Sequence, residues 1–167
     1  AVGEVVALGE GVADLAVGTR VACWKDAGHN RPGCYAQYVA MARQHVLPLP
    51  DSVSWEQACS LELAMCVQVS VEQLLRNDFL VGKRIGISGL GPAGLVALQL
   101  VKAQGAESVV GVDPVAERRE MALAAGADIV IEPTAEDWDK QVGGNVYATI
   151  DCTGFKISIE FMLQRTA

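Results

Sequence analysis

Residues 85–98 read Ile85-Gly86-Ile87-Ser88-Gly89-Leu90-Gly91-Pro92-Ala93-Gly94-Leu95-Val96-Ala97-Leu98. The first four have the composition of a short buried strand, and the apolar run from Leu95 has that of a helix. Three glycines lie between them in the spacing Gly-x-Gly-x-x-Gly. The sequence therefore predicts a strand, a tight turn and a helix whose amino terminus lies at that turn.

Each glycine of the turn has a separate predicted task. Gly89 lets the strand end sharply, Gly91 leaves room for a pyrophosphate near the backbone, and Gly94 lets the helix pack closely on the strand. Pro92 suits the first helical turn because its φ is fixed and it has no N–H to leave unpaired. The free amides and the dipole at this helix end attract anions. The predicted phosphate-binding residues are Gly89, Leu90, Gly91, Pro92, Ala93 and Gly94.

The residues that follow complete a βαβ unit. The helix is predicted to end at Gly105, and a β-branched strand, residues 108–112, leads to Asp113 about 20 residues after the turn. An acidic side chain at this place accepts hydrogen bonds from the adenosine ribose of NAD and repels the 2′-phosphate of NADP. We therefore expect NAD as the cofactor. NADP is the alternative, because Arg118 and Arg119 follow closely and an arginine here can hold a 2′-phosphate.

Strand and helix continue to alternate to the end of the chain. Helices are predicted from Pro114 and Thr134, and strands over residues 128–131 and 145–151. This alternation predicts an α/β fold with a doubly wound parallel sheet. Four strands are fewer than the six or so of a complete dinucleotide-binding fold, so we expect a partial Rossmann domain.

The chain before this unit has a different pattern. Short strands with glycine punctuation are predicted at residues 5–8, 17–23 and 35–39. Ser54 and Gln57 form a capping-box pattern that begins a helical region reaching about Arg76. We therefore predict three parts: a β-rich domain over 1–53, connecting helices over 54–80 and a nucleotide-binding domain over 81–167.

The composition limits the classes of partner and location. The 167 residues are 51% hydrophobic and carry a formal net charge of −7, which argues against general binding to nucleic acid or to an anionic membrane. Apolar runs end well before the roughly 20 residues that a membrane span needs. The five cysteines form no CxxC pair, which is typical of reduced thiols in a cytoplasmic protein.

Several motifs in order carry a family resemblance. They are residues 3–6 (GEVV), 33–39 (GCYAQYV), 47–51 (LPLPD), the glycine turn and 151–154 (DCTG). On these motifs the chain resembles the medium-chain dehydrogenase/reductase family of zinc-type alcohol and polyol dehydrogenases over essentially its whole length. The resemblance implies a partial all-β, chaperonin-10-like catalytic domain before the Rossmann domain. It also implies hydride transfer between a small alcohol or polyol and NAD, assisted by zinc, in an enzyme that is a homo-oligomer when intact.

The resemblance also assigns roles to individual residues. Thr153 and Gly154 would border the nicotinamide, and Arg118 would lie at the cofactor. Glu62 matches a glutamate that is the third zinc ligand in polyol dehydrogenases, although a charge at a helix amino terminus explains it equally well. His29 and His45 match no ligand position and are expected to be exposed loop residues. The first zinc ligands of the family would precede Ala1, and the remaining strands of its nicotinamide half would follow residue 167, so we expect a fragment truncated at both ends.

Two other functions stay open at this point. A zinc-independent reductase of the quinone oxidoreductase type would suit the missing cysteine-rich zinc lobe, which is replaced by a short loop around residues 25–32. The second alternative is a nucleotide-binding fragment without turnover, because hydride transfer requires both half-sites to be held in one frame.

Overall fold

The computed structural model describes residues 1–24 and 32–167. The chain divides into two compact units, Ala1–Glu62 and Leu63–Ala167. The short loop expected in place of a zinc lobe, with His29, lies almost wholly outside the described residues.

The first unit contains a small antiparallel sheet in the order β1-β2-β3. Its strands are β1 (Val2–Glu4), β2 (Arg20–Cys23) and β3 (Val46–Pro48), with a 3₁₀ turn at Arg43–His45. In the register of the sheet, Ala22 lies opposite Val2 on one side and Leu47 on the other. This sheet confirms a β-rich start to the chain.

Two strand predictions in this unit are wrong. Residues 5–8 follow β1 without strand structure, and residues 35–39 have none either. Tyr35 and Tyr38 are exposed, so their side chains pack on no sheet face. Aromatic and β-branched residues form a strand only where a neighbouring strand takes up their backbone groups along its length. Val5 exchanges backbone hydrogen bonds with Thr19 and Gly18, but this pairing does not extend to residues 6–8 as a regular strand.

Two helices follow the small sheet, α1 (Trp55–Ala58) and α2 (Leu61–Arg76). The predicted capping box is present: the Gln57 amide donates to Ser54 Oγ at 3.2 Å, and the Ser54 amide donates to Gln57 Oε1 at 2.9 Å. Arg20 anchors the segment just before α1, because its guanidinium donates to the Val53 carbonyl at 2.7 Å and lies over the Trp55 ring.

The second unit contains a parallel sheet in the order β6-β5-β4-β7. The strands are β4 (Arg84–Ser88), β5 (Ser108–Val112), β6 (Ile129–Ile131) and β7 (Ala148–Asp151), and the helices are α3 (Pro92–Ala103), α4 (Ala116–Ala124), α5 (Ala135–Gln141) and α6 (Lys156–Leu163). The chain runs outward from β4 to β6 and then returns to the other side of β4. The topology confirms a partial doubly wound fold, and its strand order reverses between β4 and β7.

The sheet is buried on both faces. One apolar cluster contains Ile85, Ile87, Leu98 and Val109, and the other contains Val110, Trp138 and Met162 among its members. Adjacent residues of β5 thus belong to different clusters, as expected for a parallel sheet covered by helices on both sides. In the part of the chain that the structure describes, no helix is long and apolar enough to cross a membrane.

Candidate nucleotide-binding site

Two glycines of the turn after β4 are required by packing within the protein. Gly89 has φ +85°, and a Cβ there would lie 2.7 Å from the Thr153 methyl. A Cβ on Gly94 would lie 1.8 Å from the Gly89 carbonyl oxygen, which real side chains do not approach so closely. The structure thus agrees with the predicted sharp turn at Gly89 and the predicted close packing of α3 at Gly94.

Gly91 differs from the other two, since no packing requirement explains it. Its φ is −72°, and a Cβ there would meet no described atom within 4 Å. It is the N-cap residue of α3, Pro92 occupies the first turn, and no described side chain caps the helix. Open space and an uncapped helix amino terminus therefore lie together, which is the arrangement that a phosphate group needs.

Asp113 connects the end of β5 to this turn. Its side chain is 2% exposed, and its Oδ2 accepts a hydrogen bond from the Leu90 amide at 2.8 Å. Its Oδ1 accepts from the Val115 amide at 2.9 Å. This second bond closes a turn over Pro114, so the predicted helix is present as α4 but begins at Ala116 and not at Pro114. The carboxylate and the glycine turn therefore lie at the same edge of the sheet.

The two arginines of α4 have different surroundings. The side chain of Arg118 is 52% exposed, with Nη1 3.5 Å from Asp113 Oδ2. The side chain of Arg119 is only 17% exposed; Nη1 donates to the Asp113 carbonyl at 2.8 Å, and Nη2 pairs with Glu132 Oε1 at 3.0 Å. Arg118 therefore has the greater freedom to contact a ligand, and Arg119 is held within the protein.

The loop after β7 lies beside the glycine turn. The Cys152 amide donates to the Ser88 carbonyl at 2.8 Å, which keeps this loop against the end of β4. Asp151 organises the loop, because Oδ1 accepts from the Thr153 hydroxyl at 2.8 Å and Oδ2 accepts from the Gly154 amide at 2.9 Å. The structure thus brings Thr153 next to Gly89, with Gly154 immediately after it.

The role of Asp151 in this loop was not predicted from the sequence. An aspartate two residues before a threonine, in a turn that contains glycine, was the available signal, since such side chains bond to nearby backbone and hydroxyl groups.

Comparison with known proteins adds to this geometry. Residues 1–51 match the family model of the alcohol dehydrogenase GroES-like domain, and residues 92–167 match that of the zinc-binding dehydrogenases. The chain belongs to the medium-chain dehydrogenase/reductase family. The first matched region contains the small sheet, and the second runs from Pro92, the first residue of α3, through strands β5, β6 and β7.

Three proteins illustrate the similarity within this dehydrogenase family. An alcohol dehydrogenase of Geobacillus stearothermophilus is 32% identical over 186 residues, covering 95% of this chain and 54% of the relative. The crystal structure of Bacillus subtilis 2R,3R-butanediol dehydrogenase is 28% identical with a TM-score of 0.79, covering 99% of this chain and 54% of the other. An Escherichia coli CFT073 short chain alcohol dehydrogenase complexed with NADH is 21% identical with a TM-score of 0.84, covering 99% and 56%. The chain spans about half the length of the curated relatives it matches.

Glu62, the predicted zinc ligand of this dehydrogenase-family chain, lies in the first turn of α2 and is exposed. Within residues 1–24 and 32–167, no group of three or more His, Cys, Asp or Glu side chains could hold a metal ion. The described residues therefore do not form a zinc site. The position also agrees with the alternative, a negative charge at a helix amino terminus.

His45 corrects another expectation, since it is buried and not an exposed loop residue. Only 8% of it is exposed, and its ring meets Trp24 edge-on at 5.5 Å between centroids. Its Nε2 lies 3.3 Å from Gln44 Nε2, and Nδ1 has no hydrogen-bond partner among the described atoms. Packing against an aromatic ring explains the burial.

The backbone of Cys152 lies beside the glycine turn, since a Cβ on Gly89 would be 3.2 Å from its carbonyl carbon. Burial raises the pKa of the Cys152 thiol to about 11, and the Asp151 carboxylate adds to the shift. The side chain is therefore a neutral thiol at physiological pH and a poor nucleophile.

Proposed function

We propose that this chain binds NAD as part of a zinc-type alcohol or polyol dehydrogenase that transfers hydride between its substrate and nicotinamide. One observation carries the proposal: the buried Asp113 carboxylate holds the Leu90 amide of the glycine turn. A carboxylate for the ribose and an open, uncapped turn for the pyrophosphate are thereby held at one edge of the sheet.

The roles of the residues follow from their positions. The backbone of residues 89–94 binds the pyrophosphate, and the open side of Gly91 is where the phosphates approach. Asp113 accepts hydrogen bonds from the adenosine ribose. Thr153 and Gly154, whose loop lies against the end of β4, border the nicotinamide side. NAD supplies the hydride chemistry when it is bound, and the protein supplies binding and orientation.

Arg118 decides how strictly NAD is preferred over NADP. Asp113 is negatively charged and buried, so it repels a 2′-phosphate placed beside it. Arg118 is half exposed and can turn from Asp113 toward a phosphate, which reduces this repulsion. We propose NAD as the cofactor, with Arg118 allowing weaker binding of NADP.

Glu62 is the residue of this chain that we propose as a zinc ligand. A carboxylate is a suitable zinc ligand, but one ligand cannot hold the ion, and the described residues supply no group of three. This observation favours the second candidate for the chain by itself, which is dinucleotide binding without turnover.

The remaining parts of the proposal come from the family. We propose that residues 1–53 belong to the catalytic domain, 54–80 connect it, and 81–167 belong to the NAD-binding domain. We also propose that the intact enzyme is a homo-oligomer in the cytoplasm. It would act on a small alcohol or polyol and have no nucleic-acid partner. The five free cysteines support a reducing compartment.

The experiment compares cofactors and then tests turnover. Calorimetric titration of the chain is expected to give at least tenfold tighter binding of NADH than of NADPH. In Arg118→Ala, NADPH affinity should fall further while NADH affinity changes less than threefold. Incubation with NAD, zinc and a panel of secondary alcohols and diols then tests turnover. Equal binding of both cofactors would refute the role of Asp113, and no binding of either by a folded sample would refute the function.

A further inference from the structure

We propose that Arg119 is a positioning residue for ribose recognition, acting through the backbone of Asp113. This inference rests on the proposed function, since it assumes that Asp113 binds the adenosine ribose. Arg119 itself contacts no part of the cofactor in this account.

The main chain of Asp113 is fixed from two directions. Its amide donates to the Ile131 carbonyl at the end of β6, at 3.2 Å. Its carbonyl accepts from Arg119 Nη1 at 2.8 Å. Both backbone groups of Asp113 are thus paired. The position of its carboxylate at the edge of the sheet therefore depends on these two bonds.

The guanidinium of Arg119 also joins two strand ends. Nη2 pairs with Glu132 Oε1 at 3.0 Å, and Glu132 follows β6 directly. One planar group therefore spans the residue after β5 and the residue after β6 from its place on α4. A lysine ammonium carries the same charge but is a single point, so it cannot hold both acceptors in the same geometry.

The same contacts separate the tasks of the two arginines. Nη1 and Nη2 of Arg119 are both engaged, and its side chain is 17% exposed. Each Nη carries a second N–H, but the side chain is much less accessible to a 2′-phosphate than that of Arg118, which is 52% exposed. Arg118 is therefore the arginine that can contact the 2′-phosphate of NADP. Arg119 affects only how the Asp113 carboxylate binds the ribose hydroxyls.

The test measures how strongly nucleotide affinity depends on the 2′-hydroxyl of the adenosine ribose. ADP and 2′-deoxy-ADP are titrated calorimetrically against the wild-type chain, Arg119→Lys and Glu132→Gln. In the wild type, the missing hydroxyl should weaken binding about tenfold, since it removes a hydrogen bond to a charged group. In Arg119→Lys this ratio should fall below about threefold because ADP affinity drops while 2′-deoxy-ADP affinity is kept. Glu132→Gln should give an intermediate ratio.

The control is Arg76→Lys, which alters an exposed ion pair with Glu72 on α2 and should leave the wild-type ratio unchanged. A merely structural role for Arg119 would weaken both nucleotides equally and keep the tenfold ratio, which would overturn the inference. If Arg119→Lys does not fold, Glu132→Gln decides: a wild-type ratio in that variant overturns the inference. A wild-type chain that binds ADP without detecting the hydroxyl also overturns it, whereas a chain that binds no nucleotide fails at the proposed function itself.

Discussion

Gly91 and Gly94 are three residues apart in one turn, and they are needed for opposite reasons. A side chain at Gly94 would collide with the Gly89 carbonyl, so this glycine is a requirement of the fold. A side chain at Gly91 would enter open space, so the fold does not require glycine there. A ligand that approaches the backbone closely does require it.

This contrast predicts different stabilities for two alanine variants. Gly94→Ala should lower the free energy of unfolding by about 3 kcal/mol, since α3 must move away from the end of β4. Gly91→Ala should change it by less than about 0.5 kcal/mol, because its φ of −72° suits alanine and nothing is displaced. Urea unfolding monitored by circular dichroism measures both. Equal losses in the two variants would contradict the packing explanation.

At the scale of secondary-structure elements, the sequence predicts best those features whose hydrogen-bond partners lie within the same short segment. The capping box at Ser54 and the end of the helix at Gly105, whose φ is +95°, were readable from the sequence and are present. Elements that depend on distant partners were not readable. The absence of a strand at residues 35–39 is an example, since a strand depends on a neighbouring strand. The start of α4 was missed for a local reason, because the Val115 amide donates to Asp113 Oδ1 in a turn that precedes the helix.

Asp128 links three elements of the parallel-sheet unit. Its carboxylate accepts from Lys102 Nζ of α3 at 2.9 Å and from the Val109 amide of β5 at 2.7 Å, just before β6 begins. Burial by itself would raise the pKa of this carboxyl, but these two donors outweigh burial and lower it. The folded state therefore prefers the ionised form.

Asp128→Asn should cost about 1 kcal/mol of stability at pH 7, since the ion pair is partly exposed and one hydrogen bond survives. A carboxyl whose pKa is lower in the folded chain contributes stability above its unfolded pKa of about 4, and this is lost as pH falls through the folded value. The difference between variant and wild type should therefore shrink below pH 4. Urea unfolding at pH 7 and pH 3 tests this, with Asp139→Asn on the exposed side of α5 as the charge-matched control. A difference that is unchanged at pH 3 would show that ionisation is not its cause.

At the scale of the whole molecule, the order β6-β5-β4-β7 places the glycine turn and the loop after β7 on the two strands where the topology reverses. The alternation of strands and helices predicted the fold class, and the spacing from the glycine turn singled out Asp113 as the acidic residue, whereas its bond to the Leu90 amide is known only from the structure.

The burial of His45 could not be predicted, since it depends on a contact with Trp24 from another segment of the first unit. The different surroundings of Arg118 and Arg119 could not be predicted either, since they depend on which of two adjacent residues of α4 faces Glu132 after β6.

The central claim is that the turn at residues 89–94 binds a dinucleotide, and its most direct test is calorimetric titration of NADH into the wild-type chain and Gly91→Ala. We expect saturable binding of one NADH per chain in the wild type. Gly91→Ala, folded and equally stable, should bind at least tenfold more weakly, because its methyl group occupies the space beside the phosphates. Equal affinity in the two chains would contradict the claim, as would a folded wild-type sample that shows no saturable binding.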